Sequence, residues 1–286
     1  MKIKISVITP TYNRAKLLER CYYSLCEQKF KAFEWIIIDD GSSDNTKEVV
    51  QSFLKESKIR IRYIYQSNSG KHIAHNEGVK AAIGELCVCL DSDDFFPTNA
   101  LIRAWELWKN ADKGNIGIIG KRGDMNGNAI CSNFPKGIRE CTMYDLNNLY
   151  HFYGDTVLFF RTNILKENLF PQFLKEKFIP ETALYYALDK QGTMIIANEI
   201  LYIGEYQMDG LTSKYHKLLI SNPIGTTFTY FLSLQRANTW MDRVKFSILT
   251  AAYWKPICKD YFRIPMSVHM FRPLGIMYRK IRIENL

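Results

Sequence analysis

Residues 35–46 read WIIIDDGSSDNT. The tryptophan and three isoleucines form a continuous apolar run, the pattern of a strand buried on both faces, as in a parallel sheet. The run stops on Asp39 and Asp40, then passes into Gly41 and small polar residues suited to a turn. A buried strand that ends on adjacent carboxylates predicts a site at its end. Asp and Asn also make ordinary turns, so the reading depends on whether neighbouring strands end the same way.

Outward from this stretch, strand and helix patterns alternate. KISVIT precedes it as a short β-branched run. RAKLLERCYYSLCEQ places Leu17, Leu18, Cys21 and Leu25 on one helical stripe, and TKEVVQSFLKES does the same with Val49, Val50, Phe53 and Leu54. IRYIY, a helix from about Ile73 to Ile83, and ELCVCL follow. Pro97 is predicted to open a helix through TNALIRAWELW. Four strands separated by helices imply right-handed crossovers and a largely parallel, Rossmann-like α/β sheet flanked by helices. Beyond residue 116 the alternation fades. IGIIGKRGDMNGNAI reads as a strand and polar turn, and GDTVLFF as a strand. ETALYYALDKQG reads as a helix closed by Gly192, and MIIANEILYIGEY as one or two strands. Past Lys214 the chain reads as helical. The expected organisation is a catalytic domain over 1–214, with halves 1–110 and 111–214, and a helical C-terminal region over 215–286.

The chain has 286 residues, 47% of them hydrophobic, enough for one large domain or one with an appendage. Its formal charge of +9 is uneven. Residues 216–286 hold eleven Lys/Arg against three Asp/Glu, while residues 1–215 hold 27 against 26. No apolar run reaches the roughly 18–20 residues that cross a bilayer. Lys2 and Lys4 precede an apolar run too short for a signal-peptide core, and it reads as the first strand. Seven cysteines without repeated spacing read as reduced thiols of a cytosolic protein. They offer no clustered pairs for zinc. His72 and His75 lack a third ligand at matching spacing.

In a doubly wound sheet, ligands sit beyond the carboxyl ends of the strands. Three polar clusters fall at such ends: TPTYNR after the first strand, Asp39-Asp40 after the second, and Asp91 to Asp94 after the fourth. Together they would line one crevice. Asp91 and Asp93 project from the same side of an extended chain, roughly 7 Å apart. Converging acids repel unless a cation joins them, and a hard divalent ion with oxygen ligands is the natural one. Magnesium or manganese held by one or two carboxylates commonly completes its shell with substrate phosphate. No P-loop and no G-x-G-x-x-G follows the first strand, which argues against a Walker nucleotidase or a dinucleotide enzyme.

The ordered set VITPTYNR, WIIIDDGSSDNT, GKHIAHNEGVKAAIGE and LCVCLDSDDFF resembles the inverting family 2 glycosyltransferases of the GT-A fold. The resemblance covers residues 3–110 and continues more faintly to about 214. It implies a D-x-D motif at Asp91, Ser92 and Asp93, with Asp91 and Asp93 on a divalent metal (Mn2+ or Mg2+) that meets the diphosphate of a UDP-sugar. By the same resemblance Asp40 meets the uracil edge, and Tyr12 packs on the base. Pro10 and Thr11 shape the pocket, Arg14 closes the TPTYNR motif, Lys71 reaches base or phosphate, and Asn76 lies in the site. The general base is implied at Glu181 in FIPETALYYAL. There Thr182 replaces the family's usual second acid, and Glu181 also fits an acid at a helix N-terminus. Asp155, just before a strand, is implied on the acceptor side. Tyr206, Gln207 and Asp209 lie on a loop that could close over the diphosphate, although the His or Arg common there is missing.

The implied activity is transfer of a sugar to a hydroxyl of a glycan or lipid-linked acceptor in cell-surface polysaccharide synthesis. A non-catalytic sugar-nucleotide-binding scaffold is the alternative kept open by Thr182. A sugar-nucleotide pyrophosphorylase is a further one, set against by TPTYNR standing where that class has G-x-G-x-R. The basic, aromatic tail fits an anionic membrane surface, which would place the protein in the cytoplasm on the inner face of the membrane. It equally fits helices packed on the catalytic domain. No nucleic-acid motif accompanies the charge, and nucleic acid is not expected as a partner.

Overall fold

The computed structural model describes residues 2–205, 207, 210 and 212–282. The chain divides into two compact units, residues 1–169 with 188–206, and residues 170–187 with 207–286.

The first unit is built on β1 (Ile5–Thr11), α1 (Ala15–Cys26), β2 (Phe33–Asp39), α2 (Thr46–Glu56), β3 (Ile61–Tyr65), α3 (Lys71–Ala81), β4 (Leu86–Cys89) and α4 (Ala100–Trp108). It continues with β5 (Asn115–Gly123), β6 (Glu140–Cys141), α5 (Met143–Asn148), β7 (Thr156–Arg161) and α6 (Thr162–Glu167). After α7 (Thr182–Leu188), which belongs to the second unit up to residue 187, it closes with β8 (Thr193–Ile203). All eight strands form one sheet in the order β3-β2-β1-β4-β7-β5-β8-β6. The pairs β1–β2, β2–β3 and β1–β4 are parallel, and β7 runs antiparallel to both β4 and β5. The α/β reading therefore holds, with the parallel sheet extended by antiparallel pairs. The strand order reverses between β1 and β4, the point in such sheets where ligands bind beyond the carboxyl ends of the strands.

Every residue of β1 and β2 is buried, which explains their unbroken apolar runs. On one face Tyr22 of α1 stacks on Phe53 of α2, ring centroids 4.1 Å apart, and both rings pack near Trp35. The Trp35 indole N–H donates to Thr9 Oγ1 at 2.8 Å, so the largest core side chain leaves no polar atom unpaired. On the other face α3 lies against Ile8. At the amino ends of the strands a buried carboxylate, Glu34, accepts from Ser6 Oγ at 2.7 Å and from the Ile83 amide at 2.9 Å, with Arg62 at 3.4 Å.

Two local expectations are corrected. Pro97 does not open the helix: its carbonyl accepts from the Ala100 amide at 2.9 Å in a turn ahead of α4. Gly192 does not cap α7, which ends at Leu188. It leads into β8, where a Cβ would lie 2.0 Å from the Gly114 carbonyl oxygen. A close backbone approach, not helix termination, requires that glycine. MIIANEILYI is one strand, bulged against β5.

The second unit holds α8 (Tyr215–Ser221), α9 (Pro223–Arg236), α10 (Trp240–Tyr253), α11 (Met266–Met270) and α12 (Arg272–Arg282), with two short 3-10 turns. Pro223 starts α9, and Thr239 caps α10 by accepting from the Asp242 amide. Tyr230 and Tyr253 stack at 5.5 Å between α9 and α10.

Gly78 sets how closely α3 approaches the sheet, because a Cβ there would lie 2.3 Å from Ile8 Cγ2. Gly78→Ala is expected to destabilise the protein by about 1–3 kcal/mol through overpacking, read as a lower denaturation midpoint at unchanged slope.

Candidate functional site

The carboxyl ends of β1, β2 and β4 meet in register, with Thr11 opposite Asp39 and Ile8 opposite Cys89. The Asp40 amide donates to the Thr11 carbonyl and the Leu90 amide to the Ile8 carbonyl, each at 2.8 Å. The three polar clusters predicted at strand ends are therefore neighbours in space.

Asp39 and Asp40 do different work. Asp39 Oδ1 accepts from the Ser42 amide at 2.8 Å and Oδ2 from the Tyr63 hydroxyl at 2.6 Å, so it shapes the turn. Asp40 Oδ1 accepts from Gln66 Nε2 at 2.7 Å and the Ser69 amide at 2.8 Å, and Oδ2 from the Gly70 amide at 2.8 Å. The Asp40 carboxylate, 4% exposed, thus holds the segment leading into α3. Gly70 makes that segment fit with φ +96°, and Gly41 turns at φ +81° where a Cβ would lie 2.8 Å from the Asn68 amide nitrogen.

After β1, Pro10 and Thr11 are buried and Tyr12 is half exposed. The Thr11 hydroxyl oxygen is buried without a hydrogen-bond partner. Asn13, at φ +52°, turns the loop, and its Oδ1 accepts from the Ser43 amide at 2.8 Å while its own amide donates to Ser42 Oγ at 2.9 Å. Asp44 accepts from the Ala15 amide at 3.1 Å. The loops after β1 and β2 are laced together by these bonds.

After β4, one carboxylate oxygen from each of Asp91, Asp93 and Asp94 lies within 4.8 Å of the others. Burial and the Asp91 charge push the Asp93 carboxyl above its ordinary range, while Lys71 and Arg14 oppose the shift. Burial and Asp91 push Asp94 up to about 7, against the pull of Arg122 and the Tyr202 hydroxyl. Three carboxylates offer converging hard oxygen donors, a set that fits a divalent cation of the Mg2+ or Mn2+ kind. Lys71, at the start of α3, places Nζ 2.7 Å from Asp91 Oδ1. Ser92 is buried between the acids, and Asn76 is buried within α3.

Three residues without a role in the sequence reading complete this end of the sheet. Tyr202 of β8 accepts from the Asp91 amide at 3.0 Å and donates to Asp94 Oδ2 at 2.8 Å. Arg122 of β5 lies 3.1 Å from Asp94 Oδ2 and 3.0 Å from Asp155 Oδ2, so Asp155 joins the cluster through a shared guanidinium. Arg20 of α1 donates to the Asp93 carbonyl oxygen and lies 3.2 Å from the Glu205 carboxylate. No local motif announces these pairings: Tyr202 and Asp94 are 108 residues apart.

Glu181 belongs to the second unit. It is exposed, precedes α7, and accepts from the Tyr185 hydroxyl at 2.8 Å. Gln207 accepts from the Gly210 amide at 3.0 Å in a turn. Tyr206 and Asp209 lie outside the described residues.

Comparison with known proteins gives this geometry its context. Residues 6–169, more than half of the chain, match the model of glycosyl transferase family 2. A β-1,3-glucosyltransferase of Campylobacter jejuni, named for the substrate GalNAc(5)-diNAcBac-PP-undecaprenol, is 30% identical over 73% of this chain and 67% of its own length. An uncharacterized glycosyltransferase of Nostoc sp. is 35% identical over 44% of this chain, which spans only 38% of that relative. Among solved structures, residues 1–349 of S. aureus TarS in complex with UDP superpose with a TM-score of 0.63 at 18% identity, covering 99% of this chain and 89% of that one. The mannosyltransferase PcManGT of Pyrobaculum calidifontis, in complex with GDP-Man and Mn2+, gives 0.60 at 15% identity over 100% and 83%. The acids at the switch point of the sheet lie inside the matched segment, and the chain belongs to glycosyl transferase family 2.

Proposed function

We propose that the chain is a metal-dependent, inverting transferase that moves a sugar from a UDP-sugar to a hydroxyl of a glycan or lipid-linked acceptor in cell-surface polysaccharide synthesis. The observation that carries the reading is the convergence of Asp91, Asp93 and Asp94 at the point where strand order reverses. Support comes from relatives of the same fold. TarS is described in complexes with UDP and with UDP-GlcNAc. The glucosyl-3-phosphoglycerate synthase of Mycobacterium tuberculosis is described with Mn2+ and UDP. The undecaprenol named for the Campylobacter relative supports a lipid-linked acceptor.

Asp91 and Asp93 would hold the cation, which when bound supplies Lewis-acid stabilisation of the departing diphosphate. Lys71 carries a second positive charge beside Asp91, suited to donor phosphate. Tyr12 offers an exposed ring for the base beside the buried Pro10 and Thr11. Asp40 serves that pocket by fixing residues 66–70 and retains lone-pair capacity for a donor group of the base. Tyr202 and Arg122 fix the acidic loop from behind, and Asp155 shares Arg122. Glu181 is the proposed general base, its carboxylate oriented by Tyr185.

Asp93→Asn is expected to lower transfer about a hundredfold or more, the several kcal/mol a metal contributes to leaving-group stabilisation. The same variant should lose the Mn2+-dependent part of UDP binding, measured by calorimetry with and without chelator. Full activity in excess chelator would remove the metal from the mechanism.

The raised pKa of Asp94 sets a pH dependence. In the metal-free protein the folded state favours the proton, so this group's contribution to stability is whole below the ordinary carboxylate range and is lost as pH rises through about 7. A bound cation favours the anion instead. Mn2+ should therefore raise the melting temperature more above pH 7 than below it. An equal rise on both sides would count against ligation by this cluster.

Glu181→Gln keeps the shape and removes the basicity. Turnover should fall by roughly 10²–10⁴, with UDP-sugar affinity nearly unchanged. If affinity collapses with turnover, Glu181 belongs to the donor site. If turnover survives, the base is elsewhere, and Asp155 is the next residue to replace.

A further inference from the structure

The second unit carries a surface that the transfer reaction does not explain. Helix α12 meets α10 through Gly275, its buried residue, where a Cβ would lie 2.8 Å from both Ala251 Cβ and the Ala252 amide nitrogen. Away from that contact, Leu274, Met277, Tyr278 and Ile281 recur at the i, i+3, i+4, i+7 spacing of a helical stripe. All four are exposed, at 42%, 54%, 37% and 58%. With Ile248 of α10 and Arg282 they line a shallow groove of about 250 Å³. Helical spacing sets Lys280 and Arg282 on the two flanks of the stripe, with Arg272 and Arg279 behind it, and α12 carries no acid. On the neighbouring α11, Met266 and Met270 are 76% and 72% exposed.

Three occupants could cover such a face. A second copy of the chain pairing through the same stripe would bring Lys280 and Arg282 on its flanks against like charges. A nucleic acid would take the charge and leave the apolar stripe in water. An anionic lipid surface takes both, with apolar side chains at the headgroup–acyl boundary and Lys/Arg at the lipid phosphates. The eleven residues of α12 rise about 16 Å, roughly half a hydrocarbon core, so the helix lies along the surface. No helix among the described residues is long and apolar enough to cross a membrane.

We propose that α12 is an interfacial helix that docks the protein on an anionic lipid surface, with Leu274, Met277, Tyr278 and Ile281 facing the acyl region. The inference rests on the surface of the second unit alone and stands whether or not the acceptor is lipid-linked.

The test is sedimentation of the full chain with phosphatidylcholine vesicles, with and without phosphatidylglycerol, at low and at physiological salt. The wild type should sediment with the anionic vesicles, less so as salt rises. Lys280→Glu with Arg282→Glu should weaken binding about tenfold or more. Met277→Asp with Ile281→Asp should weaken it about as much, with donor hydrolysis and melting temperature unchanged in both variants. Amide hydrogen exchange on the wild type needs no variant, and vesicles should slow exchange within 272–282. The proposal is overturned if the wild type stays in the supernatant with anionic vesicles at low salt. It is equally overturned if the aspartate variant binds as well as the wild type, or if vesicles leave exchange in α12 unchanged. A wild-type dimer in sedimentation velocity that the aspartate variant dissociates would assign the stripe to a second copy and overturn it too.

Discussion

Like-charge repulsion at the end of β4 is the constraint around which the first unit is arranged. Three carboxylates with oxygens within 4.8 Å of one another would drive their loop apart in an unsupported chain. The surrounding structure holds them by two means. Positive groups approach from separate elements, Lys71 from α3 and Arg122 from β5. Neutral hydrogen bonds from Tyr202 fix the backbone and one carboxyl group at once. Burial first, and the Asp91 charge second, still raise the Asp93 and Asp94 carboxyls.

That arrangement accounts for the mixed sheet. A parallel array alone would end with Asp91 to Asp94 on an open edge of β4. The antiparallel β7 covers that edge, and β5 and β8 beyond it carry Arg122 and Tyr202 to the acids. Arginine suits the position because its planar fork reaches two carboxylates at once, Asp94 and Asp155, which an ammonium could not do with the same geometry.

How much of this is legible in the sequence follows from how local each signal is. β1, β2 and β4 announce themselves because burial on both faces enforces an apolar run, and the acids at their ends break it. Asp91, Asp93, Asp40 and Lys71 lie in short motifs, which is why the sequence marks them as candidates. Pro97 and Gly192 fit local rules, helix opening and helix closure, but in the structure Pro97 sits in a turn ahead of α4 and Gly192 answers a close backbone approach by Gly114. The Arg122–Asp155 and Tyr202–Asp94 pairs left no trace, because their spacing in the chain is set by strand order and not by any repeating period. Glu34 was equally silent: a lone acid before a hydrophobic run reads as a strand's polar start, yet it is fully buried on Ser6 and the Ile83 amide.

The lacing between Asn13 and residues 42–44 has a consequence for the timing of entropy loss. Two loops that would otherwise each sample many conformations are tied by a left-handed asparagine and backbone bonds to side chains on both sides. Their ordering is charged to the folding of the domain, where the large buried sheet offsets it. Any ligand that packs against these loops would meet a wall already set, and its binding energy would not be spent on arranging these residues.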